Sequence, residues 1–113
     1  MSLVSEQNEF LKDVAKLIEF CAQKGFIITG GELYRTEAQQ SIYLKEGKSK
    51  TSNSMHLKRL AIDLNFFVNG ALSYDKTVLS SVGAFWESLN PKNRWGGNFS
   101  TLVDTPHFER YIA

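Results

Sequence analysis

Between Leu60 and Val68 the sequence alternates. Leu60, Ile62, Leu64 and Phe66 fall on one face of a strand, and Ala61, Asp63 and Asn65 on the other. Asn69-Gly70 follows at once, the strongest short hairpin signal in the chain, because both residues accept a positive φ. This stretch commits the chain to an antiparallel sheet. It also carries an anomaly. Asp63 stands mid-strand in the most apolar part of the sequence, and a carboxylate there needs a partner, since an unpaired buried charge is expensive. The partner is either a basic side chain, with Arg35, Lys58 and Arg59 available, or a metal ion.

Helices surround this strand. Phe10, Val14, Leu17, Ile18 and Cys21 recur at three- and four-residue spacing and predict a helix over residues 5–24, ended by Gly25. Phe26 to Thr29 reads as a short strand, and the Gly30-Gly31 pair after it suggests a bulge or a close backbone approach. Thr36-x-x-Gln39 is a capping-box pattern, so a second helix starts at Thr36 and ends near Gly47. Arg35 then sits at a strand-to-helix junction, where side chains project into clefts. Residues 47–55 are polar and aperiodic, a loop. A third helix is expected from Asp75 to Leu89, with Val78, Val82, Phe85 and Leu89 inward, and Asn90-Pro91 stops it. The tail from Arg94 reads as loop and short strands. About three helices around a small antiparallel sheet make an α+β fold.

Composition narrows the function classes. With 113 residues, 42% hydrophobic and 22% charged, the chain suits one domain spanning residues 1–113. Cys21 is the single cysteine, so no internal disulfide forms, which fits synthesis in a reducing compartment. The net charge of +1 is poor for a nucleic-acid binder. No apolar run approaches the roughly 20 residues of a membrane span. Met1 to Gln7 has neither a basic start nor an apolar stretch, so no signal peptide is read there and synthesis is expected in the cytoplasm.

The chain has two histidines, His56 and His107, which flank Asp63 at a distance in sequence. Together they make an N,N,O donor set that suits zinc and, with only three protein ligands, leaves a position for water. Zinc lowers the pKa of that water to about 7 and polarises a carbonyl. Asp104, three residues before His107, is placed to take the water proton, with Pro106 holding Thr105 extended. Each histidine taken singly is more often a surface or satisfied side chain than a ligand, and Asp63 has its basic neighbours as alternative partners. There is no HExxH helix and no CxxC pair to decide the matter.

The stretch Ser54-Met55-His56-Leu57-Lys58-Arg59-Leu60-Ala61-Ile62-Asp63 resembles the SxHxxGxAxD motif of the D-alanyl-D-alanine carboxypeptidase and L-alanyl-D-glutamate endopeptidase family, zinc peptidases of the Hedgehog/DD-peptidase fold. Three further pieces match in order: Tyr34-Arg35-Thr36 with Gln39-Gln40, Trp95 to Phe99, and Asp104-Thr105-Pro106-His107-Phe108-Glu109. The resemblance covers roughly residues 26–111. It implies one zinc ion per chain held by His56, Asp63 and His107, Asp104 as the catalytic base, Arg35 as a substrate and oxyanion partner, and Ser54 near the substrate. Glu109 shares a strand face with His107 and is a candidate to orient its imidazole, against the alternative of a solvated glutamate. Trp95 is a candidate floor of the cleft, against simple core packing. One position departs from the motif: Arg59 stands where it has glycine, and is expected to alter the loop or narrow the cleft.

The function so implied is hydrolysis of peptide bonds in peptidoglycan stem peptides, as an L-alanyl-D-glutamate endopeptidase of the phage or prophage endolysin type. The alternatives are a D-alanyl-D-alanine carboxypeptidase or dipeptidase and, in another class, a non-catalytic zinc-containing wall-binding module. The site of action would be the bacterial cell wall, reached by a monomer with a separate holin-type partner. Lys45, Lys48, Lys50, Lys58 and Arg59 concentrate basic charge in one stretch, read as a solvated loop or as attraction to an anionic wall polymer.

Overall fold

Asp75, Thr36 and Ser2 each end a stretch of extended backbone by accepting a hydrogen bond from an amide two or three residues on, and a helix starts after each. In the computed structural model, which describes residues 1–113, these helices are α1 (Leu3–Gln23), α2 (Glu37–Lys45) and α3 (Lys76–Leu89). The strands are β1 (Ile27–Gly30), β2 (Ala61–Val68), β3 (Ala71–Ser73), β4 (Asn93–Trp95) and β5 (His107–Arg110). Short 3₁₀ turns cover Met55–Lys58 and Gly96–Asn98. The fold is α+β, as the patterning implies. No helix is long and apolar enough to cross a membrane.

β2 is the organising strand. The sheet runs β1-β2-β5-β4, all antiparallel, with β3 also paired to β2. The β2–β3 hairpin turns at Asn69 and Gly70, with φ of 52° and 79°, as expected of that dipeptide. Leu60, Leu64 and Phe66 are buried, and Phe108 of β5 is buried with them. α1 and α3 cover this face, with Phe10 edge-on to Trp86 and Phe20 stacked on Phe85. Asp63, odd in the alternation, belongs to the opposite face.

Two helix stripes differ from expectation by one step. Ile18 is 45% exposed and Val78 40% exposed. In α3 the inward set is Leu79, Val82, Gly83 and Trp86, because the large Trp86 indole takes the centre of the core and sets the helix rotation. In α1 two acids, Glu6 and Asp13, are buried beside Phe10, Val14, Leu17 and Cys21. Each has partners there. Asn93 donates to Asp13 at 3.1 Å, and Glu6 accepts from Lys92 and Arg110 at 2.7–3.0 Å. Apolarity alone does not register such pairs.

Candidate metal centre

The antiparallel register sets Asp63 of β2 directly opposite His107 of β5. Directly opposed side chains share a face about 5 Å apart, so residues far apart in sequence meet by pairing alone. His56 arrives by another route. Its 3₁₀ turn is capped by Ser54, whose Oγ accepts from the His56 amide at 3.2 Å, and ends at Arg59 in the left-handed region, φ 55°. That conformation accounts for the glycine of the motif at this position. The Arg59 side chain does not narrow the cleft. It is exposed and its guanidinium stacks on Tyr34, 4.1 Å from the ring centre.

A strap formed by residues 31–35 ties the turn to the strand. Gly31 donates to the Asp63 carbonyl at 2.8 Å, Asp63 to the Glu32 carbonyl at 2.9 Å, and Arg35 to the His56 carbonyl at 3.2 Å. A side chain on Gly31 would press on Asp63, so the second glycine of the pair marks a close approach, while Gly30 has open space around it. The His56 Nδ1–H donates to the Leu33 carbonyl at 2.9 Å, which leaves Nε2 to face Asp63 Oδ1 at 3.3 Å. Glu109 Oε1 accepts from the His107 Nε2–H at 2.7 Å, so His107 presents Nδ1, 3.5 Å from the same Asp63 oxygen. One donor atom from each of His56, Asp63 and His107 lies within 4.8 Å of the others.

These atoms fit a divalent cation. His56 Nε2 and Asp63 Oδ1 are buried and make no hydrogen bond, although buried polar atoms rarely go unpartnered. Neither Arg35, Lys58 nor Arg59 pairs with Asp63, whose charged neighbours are the two imidazoles. Burial works against the Asp63 carboxylate, yet His107 and His56 outweigh it and hold its pKa far below the usual range. Burial also opposes the His107 imidazolium, but Asp63 and Glu109 carry its pKa up to about 9. Glu109 is held below its ordinary value in spite of its burial, by His107 and by Arg94, which donates twice to Oε2 at 2.7 and 2.9 Å.

A cleft of about 450 Å³ opens over this cluster. Asp104 stands in its wall with Oδ2 3.9 Å from His107 Nδ1, and burial and the Asp63 charge push its carboxyl up. Gly96 makes the approach possible. A Cβ there would collide with the Asp104 carbonyl and crowd His107, and the Gly96 carbonyl accepts from the Asp104 amide at 2.9 Å. Arg35 and Ser54 also line the cleft. Arg35 donates to Glu32 through Nε and Nη2, and through Nη1 to Gln40 at 2.7 Å and Ser54 at 3.3 Å, which leaves one N–H free.

Trp95 does not line the cleft. It is 2% exposed, and its indole N–H donates to the Thr105 carbonyl at 2.8 Å, so it supports the Asp104 loop from behind. Glu109 is buried against His107, not solvated. Sequence reasoning missed Glu32, Gln40 and Arg94, which bind Arg35 and Glu109. Only Gln40, inside the quoted Gln39-Gln40 pair, carried any signal.

A sequence model of the family described as D-alanyl-D-alanine carboxypeptidase matches residues 47–110, the stretch holding all three donor residues and Asp104. The chain belongs to this family. A relative, the L-alanyl-D-glutamate peptidase of Listeria phage A118, is 29% identical over 103 residues, covering 83% of this chain and 34% of its own length. The chain thus spans about a third of that relative. The crystal structure of Serratia marcescens L-Ala D-Glu endopeptidase ChiX matches with a TM-score of 0.69 at 24% identity, over 88% of this chain and 79% of that one, so the fold is shared.

Proposed function

We propose that the cleft is the active site of a zinc peptidase that cuts peptide stems of peptidoglycan, with the L-alanyl-D-glutamate bond as its target. The observation that carries this reading is the pair of unpartnered buried atoms, His56 Nε2 and Asp63 Oδ1, converging with His107 Nδ1 below a cleft that also holds Asp104. The names of the phage and Serratia proteins supply the bond. Residues 1–113 form the peptidase domain in this reading.

His56, Asp63 and His107 would hold the ion. Zinc with three protein ligands supplies a Lewis acid and an acidified water. Asp104 takes the proton from the attacking water and returns it to the leaving amine. Its carboxyl stands in the cleft wall with Oδ2 3.9 Å from His107 Nδ1, beside the donor cluster where that exchange takes place. Arg35 offers its remaining N–H to the oxygen that gains charge, in a position set by Glu32 and Gln40. Ser54 fixes the His56 turn and contacts substrate from the cleft wall. Glu109 keeps His107 in the tautomer that presents Nδ1.

Mass spectrometry of digested peptidoglycan tests this, because the new termini identify the bond. An alanine C-terminus paired with a glutamate N-terminus is expected. Release of free D-alanine alone would transfer the site to the carboxypeptidase reading, and no new terminus at all would leave a wall-binding module. Protein purified without chelator should hold about one zinc per chain, and Asp104→Asn should keep that zinc while losing hydrolysis. Full activity in that variant would refute the base.

A further inference from the structure

Four cations line the cleft: Arg35, Lys48, Lys50 and Arg94. Three are matched by acids. Arg35 pairs with Glu32, Arg94 with Glu109 at 2.7 Å, and Lys48 with Glu46 at 3.3 Å. Lys50 has no carboxylate partner among the ion pairs of the chain. Of the five basic residues concentrated between 45 and 59, only Lys48 and Lys50 reach the cleft.

The backbone that presents Lys50 is anchored. Gln40 is 2% exposed, and its Nε2 donates to Ser49 Oγ at 2.8 Å and to the Thr51 carbonyl at 2.6 Å. One buried amide thus pins both chain neighbours of Lys50, while its Oε1 accepts from Arg35 at 2.7 Å. Sequence spacing does not require a loop of this composition to be held. The cleft lining also holds two acids, Asp104 beside the donor cluster and Glu109, which is already bound to Arg94 and His107. Of the cations lining the cleft, Lys50 is therefore the one with a charge to spare.

We propose that Lys50 is a specificity-determining residue that receives a carboxylate of the substrate, so that the site selects peptides with an acidic residue at the cut bond. This rests on the peptidase reading of the cleft. An exposed lysine–carboxylate pair contributes little in absolute terms, about fivefold in affinity at most, and is weakened by salt. It discriminates because the amide of the same acid gains nothing from it.

The test compares N-acetyl-L-alanyl-D-glutamate with its diamide on the zinc-loaded protein, by steady-state hydrolysis and, separately, by equilibrium binding read from the backbone amide signals of residues 49–51. The acid should be preferred. Lys50→Gln should raise KM for the acid about fivefold with kcat within about twofold, and leave the diamide unchanged, the signature of lost uniform binding. Lys50→Arg should restore the preference, and salt should erode it. Equal effects on acid and diamide, or no preference in the parent protein, would overturn the assignment. If neither peptide is cut, the peptidase reading falls for this bond, and Lys50 is then judged by binding alone. An acid preference abolished by Lys50→Gln upholds it, and its absence refutes it.

Discussion

Replacing Gly83 by alanine should destabilise the protein, although the same change in an exposed helix stabilises it by about 1 kcal/mol. Gly83 lies on the buried face of α3, and a Cβ there would overlap Cγ, Cδ2 and Cε3 of the Trp95 indole. The ring has nowhere to go. A Cβ on Gly97 would overlap its far edge, so the indole fills a slot between two glycines, and its N–H is committed to the Thr105 carbonyl. Overpacking costs about 1–3 kcal/mol, and breaking the bond to a buried carbonyl about another 1–3. Less the helix gain, the net loss is about 1–5 kcal/mol, or about 4–20 °C in Tm for a chain of this size. Urea and thermal unfolding followed by circular dichroism measure it, with Ser81→Ala on the exposed face of α3 as a control expected to gain a few tenths of a kcal/mol, about 0.5 at most. In a Trp95→Leu background the penalty of Gly83→Ala should largely vanish. A Gly83→Ala protein as stable as its parent would refute the clamped indole, and with it the argument that Trp95 supports the Asp104 loop.

Three further outcomes are expected. At the left-handed position, Arg59→Gly should be more stable than Arg59→Ala by about 1 kcal/mol, because only glycine escapes the steric cost there; urea midpoints compare them, and equal values would remove the backbone account of the motif glycine. Lys92 and then Arg110 hold the Glu6 carboxyl below its ordinary value against the effect of burial, so this cluster contributes stability that is complete above the unfolded pKa of about 4.3 and is lost as pH falls through the lower folded pKa. Tm should therefore fall more steeply from pH 5 to 3 in the parent than in Glu6→Gln, and parallel curves would exclude the linkage. Burial pushes the Cys21 thiol up to about 11, so at pH 8 a disulfide reagent should label it only at the rate of unfolding; prompt labelling would contradict its place in the core.

The parts of the site that were legible in the sequence are those that break a local rule. Asp63 stood out because a carboxylate interrupts an apolar alternation, and the two histidines because there are no others. The register that sets Asp63 against His107 was not legible, since strand pairing between distant segments leaves no local period. Glu32 looked like an ordinary surface residue, and Gln40 stood out only as part of the Gln39-Gln40 pair; their importance comes from the strap and from the loop that folds over α2. Ile18 and Val78 read as core because counting apolar residues does not fix helix rotation. That rotation is set by the bulk of Trp86 and by buried acids with partners on β4 and β5.

The strap also bears on what kind of metal site this is. A structural zinc site draws a loose chain together, and its ligands have few other constraints. Here each donor is placed by something else. Asp63 is held on one edge by the Glu32 carbonyl and on the other by pairing with His107, His56 by the Leu33 carbonyl and the Ser54 cap, and His107 by Glu109. Two polar atoms are kept buried and unpartnered, a cost of about 1–3 kcal/mol each that the fold offsets elsewhere. Donors already held in this way suit a bound ion that supplies chemistry better than one that draws the chain together. Asp104 is placed from the other side of the cleft, by the Gly96 carbonyl, which accepts from its amide at 2.9 Å, and by the His107 amide, which donates to its carbonyl at 3.1 Å.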